Sequence, residues 1–191
     1  DIGGITGLGN EAITLDDTTL AATVLNTLDG NTTGAVNAAT VTTLTGAAAA
    51  VITTYDSSGI SGLGNEKLTL SGSTSVANAN TLAADTTGVI TATITETDAS
   101  TLATLTETTN AYTITVGDTS VTAANLNTID GATTVAVTAT AVTTITGAAA
   151  DVNTAYASSG ITGLGNEAVT LSDTSLATTV LNTLDGNTTG A

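Results

Sequence analysis

The feature that most constrains this sequence is an internal repeat with a period of 156 residues. Residues 5–34 and 161–190 are identical at 26 of 30 positions; they read ITGLGNEAITLDDTTLAATVLNTLDGNTTG and ITGLGNEAVTLSDTSLATTVLNTLDGNTTG. Self-similarity at a fixed period is typical of arrays in which each repeat packs only on its neighbours. We therefore divide the chain into the end of one repeat (1–10), one full repeat (11–166) and the start of the next (167–191).

Six short β-type runs begin within this period at intervals of 22–32 residues, and a seventh repeats the first. In these runs apolar side chains alternate with threonine or another polar residue, which is typical of a strand with one buried face. Threonine suits the opposite face because it is both β-branched and polar. The predicted strands are 11–15, 35–39, 66–70, 89–94, 111–116, 135–139 and 167–171.

Between successive strands lies one segment with apolar residues at helical spacing. The predicted helices are 18–28, 45–55, 73–84, 98–108, 118–129 and 146–156. Residues suited to N-capping stand at or before five of their starts: Asp17, Thr45, Asp98, Asp118 and Thr146. One short parallel strand and one helix in each 22–32-residue coil predict an α/β solenoid. Because threonine is only a moderate helix former, an all-β right-handed β-helix is the alternative.

The composition excludes most kinds of chemistry. The chain has 17 acidic residues and one basic residue, Lys67, and it contains no histidine and no cysteine. Nucleic-acid binding depends on lysine and arginine, so we expect none. The usual ligands of zinc, haem and iron–sulfur clusters are absent, as is the usual general base. We therefore expect no enzyme and no such cofactor. The most apolar run, 47–52, is too short to cross a bilayer, so we also expect no membrane insertion.

Calcium is the metal that the remaining oxygen ligands could hold. The candidate ligands are Asp16, Asp17, Asp29 and Asp130, which lie at predicted turns and helix starts. Aspartate in these places also forms turns and helix caps without any metal, and that is the alternative for all four residues. The chain lacks the EF-hand loop and the glycine-rich calcium nonapeptide.

The ITGLGNEAVTLSDTSL turn, the TGAAADV segment and the acidic, threonine- and alanine-rich bias resemble repeats of giant bacterial surface proteins, particularly those of marine cyanobacteria. This resemblance implies an extracellular or cell-surface location and no catalytic residues. We expect a structural protein that forms a rod, filament or surface layer by coil stacking, through self-association or covalent continuation into flanking repeats. The alternative is a stalk or ligand-binding segment of a large bacterial adhesin, with calcium as a possible stabiliser.

Overall fold

The computed structural model describes residues 9–190, and in this part of the chain seven helices alternate with short parallel strands. The fold class is therefore α/β, as the sequence predicts, and the all-β alternative is wrong. Most of the segment 1–10, predicted as the end of a preceding repeat, lies outside the described residues. The chain divides into two compact units, Asp1–Thr93 and Ile94–Ala191.

The first unit contains two ladders of short strands. Its elements are β1 (Ile13–Thr14), β2 (Thr19–Ala21), α1 (Ala22–Asn31), β3 (Val36–Asn37), β4 (Thr43–Gly46), α2 (Ala48–Asp56), β5 (Ile60–Ser61), β6 (Lys67–Thr74), α3 (Val76–Asp85) and β7 (Ile90–Ile94), which ends one residue beyond the unit. In one ladder β3 lies between β1 and β5, in parallel. In the other, β4 lies in parallel between β2 and β6, and β7 follows β6 in the same sheet. The second ladder aligns Leu20, Leu44 and Leu68 in register, so equivalent side chains stack from coil to coil.

The second unit has the same organisation. Its elements are α4 (Ala99–Leu102), β8 (Ala111–Thr113), β9 (Ser120–Thr122), α5 (Ala123–Gly131), β10 (Val137–Thr138), β11 (Thr144–Gly147), α6 (Ala149–Ala157), β12 (Ile161–Thr162), β13 (Ala168–Leu171) and α7 (Thr178–Asn187). Strand β10 pairs with β12, and β11 lies between β9 and β13. Here Val121, Ile145 and Val169 align in register.

Most coils contain two short strands, whereas the sequence predicts one. In four of these coils the missed strand is the second one: β2, β4, β9 and β11 lie at or next to the start of a segment predicted as helix. In two others it is the first one, β5 or β12, since β6 and β13 match predicted strands. Leu44 and Ile145, in the middle of β4 and β11, are fully buried. Pairing with the neighbouring strands favours extended backbone here, as do the flanking threonines, which are β-branched and lose rotamer freedom in a helix.

The helix starts shift accordingly, and with them most of the predicted caps. Asp98 is confirmed as an N-cap, since its Oδ1 accepts a 2.9 Å hydrogen bond from the Thr101 N–H. Hydrogen bonds from the hydroxyl of Ser100 and from Thr101 hold the pKa of Asp98 below its ordinary value. The other four predicted caps are wrong, because the N-caps of these helices are Ala21, Ala47, Thr122 and Ala148. Asp17 and Asp118 lie before strands β2 and β9, and Thr45 and Thr146 lie within β4 and β11.

The core consists of one narrow stripe on each helix and the inward side chains of the strands. Five helices bury residues at spacings of three, and these stripes are Ala22, Leu25 and Leu28; Ala48, Val51 and Thr54; Val76, Ala79 and Leu82; Ala123, Leu126 and Ile129; Ala149, Val152 and Ala155. Each stripe is too small to form a core by itself, so its burial depends on the neighbouring coils.

Candidate functional site

Asp29, a predicted calcium ligand, is engaged in a turn of the first unit. Its Oδ2 accepts a 2.7 Å hydrogen bond from the hydroxyl of Ser57, which lies 28 residues further along the chain. The Ser57 Oγ in turn accepts a 3.1 Å bond from the N–H of Gly59. The carboxylate at the end of α1 therefore anchors the turn that follows α2.

Asp130 makes the same arrangement in the second unit. Its Oδ2 accepts a 2.6 Å hydrogen bond from the hydroxyl of Ser158, and the Ser158 Oγ accepts a 3.0 Å bond from the N–H of Gly160. Neither glycine position has space for a side chain, because a Cβ at Gly59 or Gly160 would collide with the aspartate carboxylate. The two predicted ligands are thus equivalent parts of one repeated turn.

Asp16 and Asp17 are exposed, and they lie between β1 and β2. The contact given for this pair is made by the Asp17 backbone, whose carbonyl oxygen accepts a 3.1 Å bond from the Thr40 hydroxyl. Within residues 9–190, no three acidic side chains form a group that could hold a metal ion. The structure therefore does not gather the calcium candidates into one ligand set.

Two glutamates at the starts of predicted strands, Glu66 and Glu167, are fully buried. In the first unit, Glu66 Oε2 accepts hydrogen bonds from the hydroxyl of Tyr55 at 2.8 Å and from the N–H of Gly64 at 2.8 Å. In the second unit, Glu167 Oε2 accepts bonds from Tyr156 at 2.9 Å and from Gly165 at 2.8 Å. A buried carboxylate needs such donors, because leaving it without them costs several kcal/mol.

The pairing also affects the tyrosines. Burial, reinforced by the hydrogen bond to Glu66 and its negative charge, raises the pKa of Tyr55 well above its ordinary value. Burial raises the pKa of Tyr156 to about 12, and its hydrogen bond to Glu167 acts in the same direction. Both hydroxyls therefore remain protonated donors at neutral pH.

One signal in the sequence could have located these pairs. In both cases the tyrosine precedes its glutamate by 11 residues, and the second pair stands 101 residues after the first, in a similar stretch of sequence. A tyrosine and a glutamate at the same separation in two similar stretches indicate a contact between them. The third glutamate of this type, Glu11, is exposed in the structure.

Two further aspartates act across coils. Asp118 Oδ2 accepts a 2.6 Å hydrogen bond from the N–H of Ala99, the first residue of α4, and Asp173 Oδ2 accepts a 2.7 Å bond from Ala149 at the start of α6. Carboxylates at helix starts satisfy free N–H groups and interact favourably with the helix dipole. Asp118 was predicted to cap the helix that follows it and instead reaches the one before it.

Comparisons with protein families, with curated proteins and with solved structures give no match. Among residues 9–190 no helix is both long and apolar enough to cross a membrane. Most of the acidic groups described above accept a hydrogen bond from a hydroxyl or an N–H of another turn or helix, so they join segments that lie 11–28 residues apart in the chain.

Proposed function

We propose that this chain is a structural tandem-repeat protein, a solenoid whose coils stack into an extracellular rod, filament or surface layer. In this proposal each coil provides one or two short strands and a helix, and buries its faces against the coils before and after it. The chain is then a structural component and not an enzyme, and it provides the assembly with its length, stiffness and surface.

The observation that carries the proposal is the recurrence of the same hydrogen bonds from coil to coil. The side chain of Asn26 donates to the Ala50 carbonyl at 2.9 Å, and Asn127 donates to the Asp151 carbonyl at 3.0 Å. Both bonds span 24 residues, and both join a helix to the helix of the next coil. Equivalent donors and acceptors at equivalent positions are what a repeating stack requires.

A second set of recurrent bonds joins the turns. The threonine that follows a helix donates its hydroxyl to a carbonyl 20 or 21 residues earlier, at distances of 2.7–3.0 Å. The pairs are Thr32 with Glu11, Thr86 with Glu66, Thr133 with Tyr112, and Thr188 with Glu167. The chain contains 49 threonines, and four of them form these bonds between turns.

The charge fits an assembly that stays dispersed. With one basic and 17 acidic residues, separate rods repel one another at neutral pH, which opposes lateral clumping. The single lysine also leaves trypsin one site in the chain. Both properties suit a material exposed outside the cell, as the resemblance to giant bacterial surface repeats implies.

Electron microscopy of the native assembly tests this proposal. We expect thin rods or a layer with a regular repeat along the stacking direction. On a strand spacing of about 4.8 Å, six coils advance the stack by roughly 29 Å per 156-residue repeat. Compact, separate particles without a fibre axis would contradict the proposal.

A further inference from the structure

Six peptide bonds of this chain are open by sequence to endopeptidases that cut after lysine or after glutamate. One follows Lys67, and five follow glutamates. Such an enzyme binds an extended segment of its substrate and places the carbonyl of the scissile bond in an oxyanion hole. A cut therefore requires that this carbonyl be accessible and that the residues around it be able to leave the fold.

The bond after Lys67 is closed because it lies within a sheet. Strand β6 begins at Lys67 and lies between β4 and β7. The Lys67 N–H donates a 3.0 Å hydrogen bond to the Thr42 carbonyl. The next residue, Leu68, is fully buried, and its N–H donates to the Val89 carbonyl at 3.0 Å. Although the side chain of Lys67 is exposed, a cut here requires β6 to leave both neighbouring strands.

The bonds after three glutamates are closed by a contact on the scissile carbonyl itself. In each case the threonine that follows the next helix donates its hydroxyl to this carbonyl at 2.7–3.0 Å. A glycine two residues later packs so closely that a Cβ would collide with the same carbonyl. The three sets are Glu11, Thr32 and Gly34; Glu66, Thr86 and Gly88; Glu167, Thr188 and Gly190. A protease has to separate two turns before it reaches any of these bonds.

The bond after Glu96 leads directly into a capped helix. The carbonyl of the next residue, Thr97, accepts a 2.8 Å hydrogen bond from the N–H of Gly117. Asp98 follows and is the N-cap of α4. Glu96 itself is half-buried. The residues after this bond are therefore held by hydrogen bonds to two other parts of the second unit.

The bond after Glu107 lies in an exposed segment outside any helix or strand. This segment joins α4 to β8, and its residues 106–109 are all exposed. Helix α4 has only four residues and buries Ala99 and Leu102, whereas the other helices of residues 9–190 have nine or ten residues. A one-turn helix is marginally stable by itself, so the chain before Glu107 can unfold locally at low cost.

We propose that the Glu107–Thr108 bond is a proteolytic processing site, at which a glutamate-specific endopeptidase cuts the native chain once. Water is the second reactant. The C–N bond breaks, the hydroxyl group of the water joins the carbonyl carbon of Glu107 to form a carboxyl group, and the remaining proton joins the nitrogen of Thr108 to form an amino group. Exposed, small and polar neighbours on both sides are typical of such sites.

In an array, this inference rests on the proposed function. The sequence has one such segment in its 156-residue repeat, so tandem copies would carry the same bond at intervals of 156 residues. A single type of protease could then nick a rod once per repeat and leave the stacked coils between the nicks intact. The five closed bonds give the rest of each repeat its resistance.

Digestion of the full 191-residue chain with a glutamate-specific endopeptidase, followed by mass spectrometry of the fragments, tests the proposal. We expect two early products, residues 1–107 and 108–191. Glu107→Gln should abolish this cut, because the enzyme recognises the carboxylate before the scissile bond, and circular dichroism should show that this variant stays folded. The matched control is Glu96→Gln, which should leave the rate of the cut at Glu107 unchanged.

Trypsin provides a second measurement that does not depend on glutamate. It should leave the natural chain whole in buffer and should cut it after Lys67 in urea. The variant Thr108→Lys should be cut in buffer after residue 108, with the Lys67 bond still intact. An early cut after any of the other four glutamates, or a segment 103–110 that resists both enzymes until the fold is lost, would overturn the proposal. Either result would leave coil stacking unaffected, since that is measured by scattering from tandem repeats.

Discussion

The hydroxyl of Tyr55 donates a 2.8 Å hydrogen bond to Oε2 of Glu66, a glutamate whose side chain is fully buried. The Gly64 N–H donates to both oxygens of the same carboxylate, at 3.0 and 2.8 Å. Tyr156 and Glu167 repeat this pair in the second unit. These donors stabilise a buried acidic group in a chain of net charge −16, so its removal should be costly.

We predict that Glu66→Ala lowers the free energy of unfolding by about 2–3 kcal/mol, because it removes charge-assisted hydrogen bonds and takes away the acceptor of the Tyr55 hydroxyl proton. Glu11→Ala is the matched control, since Glu11 occupies the same repeat position but is exposed, and it should leave stability essentially unchanged. Urea denaturation followed by circular dichroism measures both. Equal losses for the two variants would show that burial of Glu66 contributes nothing.

Gly88→Ala should be destabilising, by about 1–3 kcal/mol, because a Cβ there would collide with the backbone carbonyl of Glu66. Gly30→Ala should be stabilising by about 0.5–1 kcal/mol, because Gly30 lies within α1 and has open space where a Cβ would stand. The midpoints of urea unfolding compare the two variants. The two substitutions should change the free energy of unfolding in opposite directions. A stabilising Gly88→Ala would contradict the close approach of Gly88 to the Glu66 carbonyl.

Alkaline pH should unfold the protein through its tyrosines. Burial raises the pKa of Tyr112 and of Tyr156 to about 12, and that of Tyr55 higher still, from an ordinary value of 10.0. A folded-state pKa above the unfolded value means that the protonated hydroxyl stabilises the fold fully below pH 10. That stability is lost as the pH rises from 10 through about 12. Ultraviolet absorbance of tyrosinate, followed together with circular dichroism, should show ionisation and unfolding in this window; ionisation near pH 10 with the fold intact would contradict the burial.

Ser57→Ala should lower the free energy of unfolding by about 1–2 kcal/mol, because the half-buried Asp29 carboxylate loses a charge-assisted donor. Ser58→Ala provides the control, since Ser58 is exposed next to it. Thermal unfolding of both variants, with and without calcium or a chelator, shows whether Asp29 stabilises the fold by its hydrogen bond in the turn or by binding calcium. A loss of stability on chelation in the natural chain, absent from the Asp29→Ala variant, would show that Asp29 acts as a calcium ligand.

The sequence predicts the α/β class, the positions of most helices and the recurrence of coils, because these depend on the spacing of apolar residues. It misses one of the two strands of most coils: β2, β4, β9 and β11 are short and merge with the helix that follows, and β5 and β12 are only two residues long. Their extended backbone is stabilised by the ladder with neighbouring coils, as between Leu20, Leu44 and Leu68, and this pairing is not local.

The contacts of the acidic residues can likewise be predicted from the sequence only where they are local. Asp98 caps its own helix, which is a local contact that composition and position predict. The partners of Asp29, Asp118 and Glu66 lie 28, 19 and 11 residues away, and the burial of Glu66 depends on how the turns stack. Among these contacts, one is indicated by a sequence pattern. Tyr55 and Glu66 are separated by the same number of residues as Tyr156 and Glu167.

The central claim, that coils stack into a rod whose length follows copy number, is tested most directly by X-ray scattering from chains with one, two and four tandem copies of the 156-residue repeat. We predict that the maximum dimension grows linearly, by roughly 29 Å per added copy at a strand spacing of about 4.8 Å, while the cross-section stays constant. A maximum dimension that grows only with the cube root of chain length, as for a globular particle, would contradict the account.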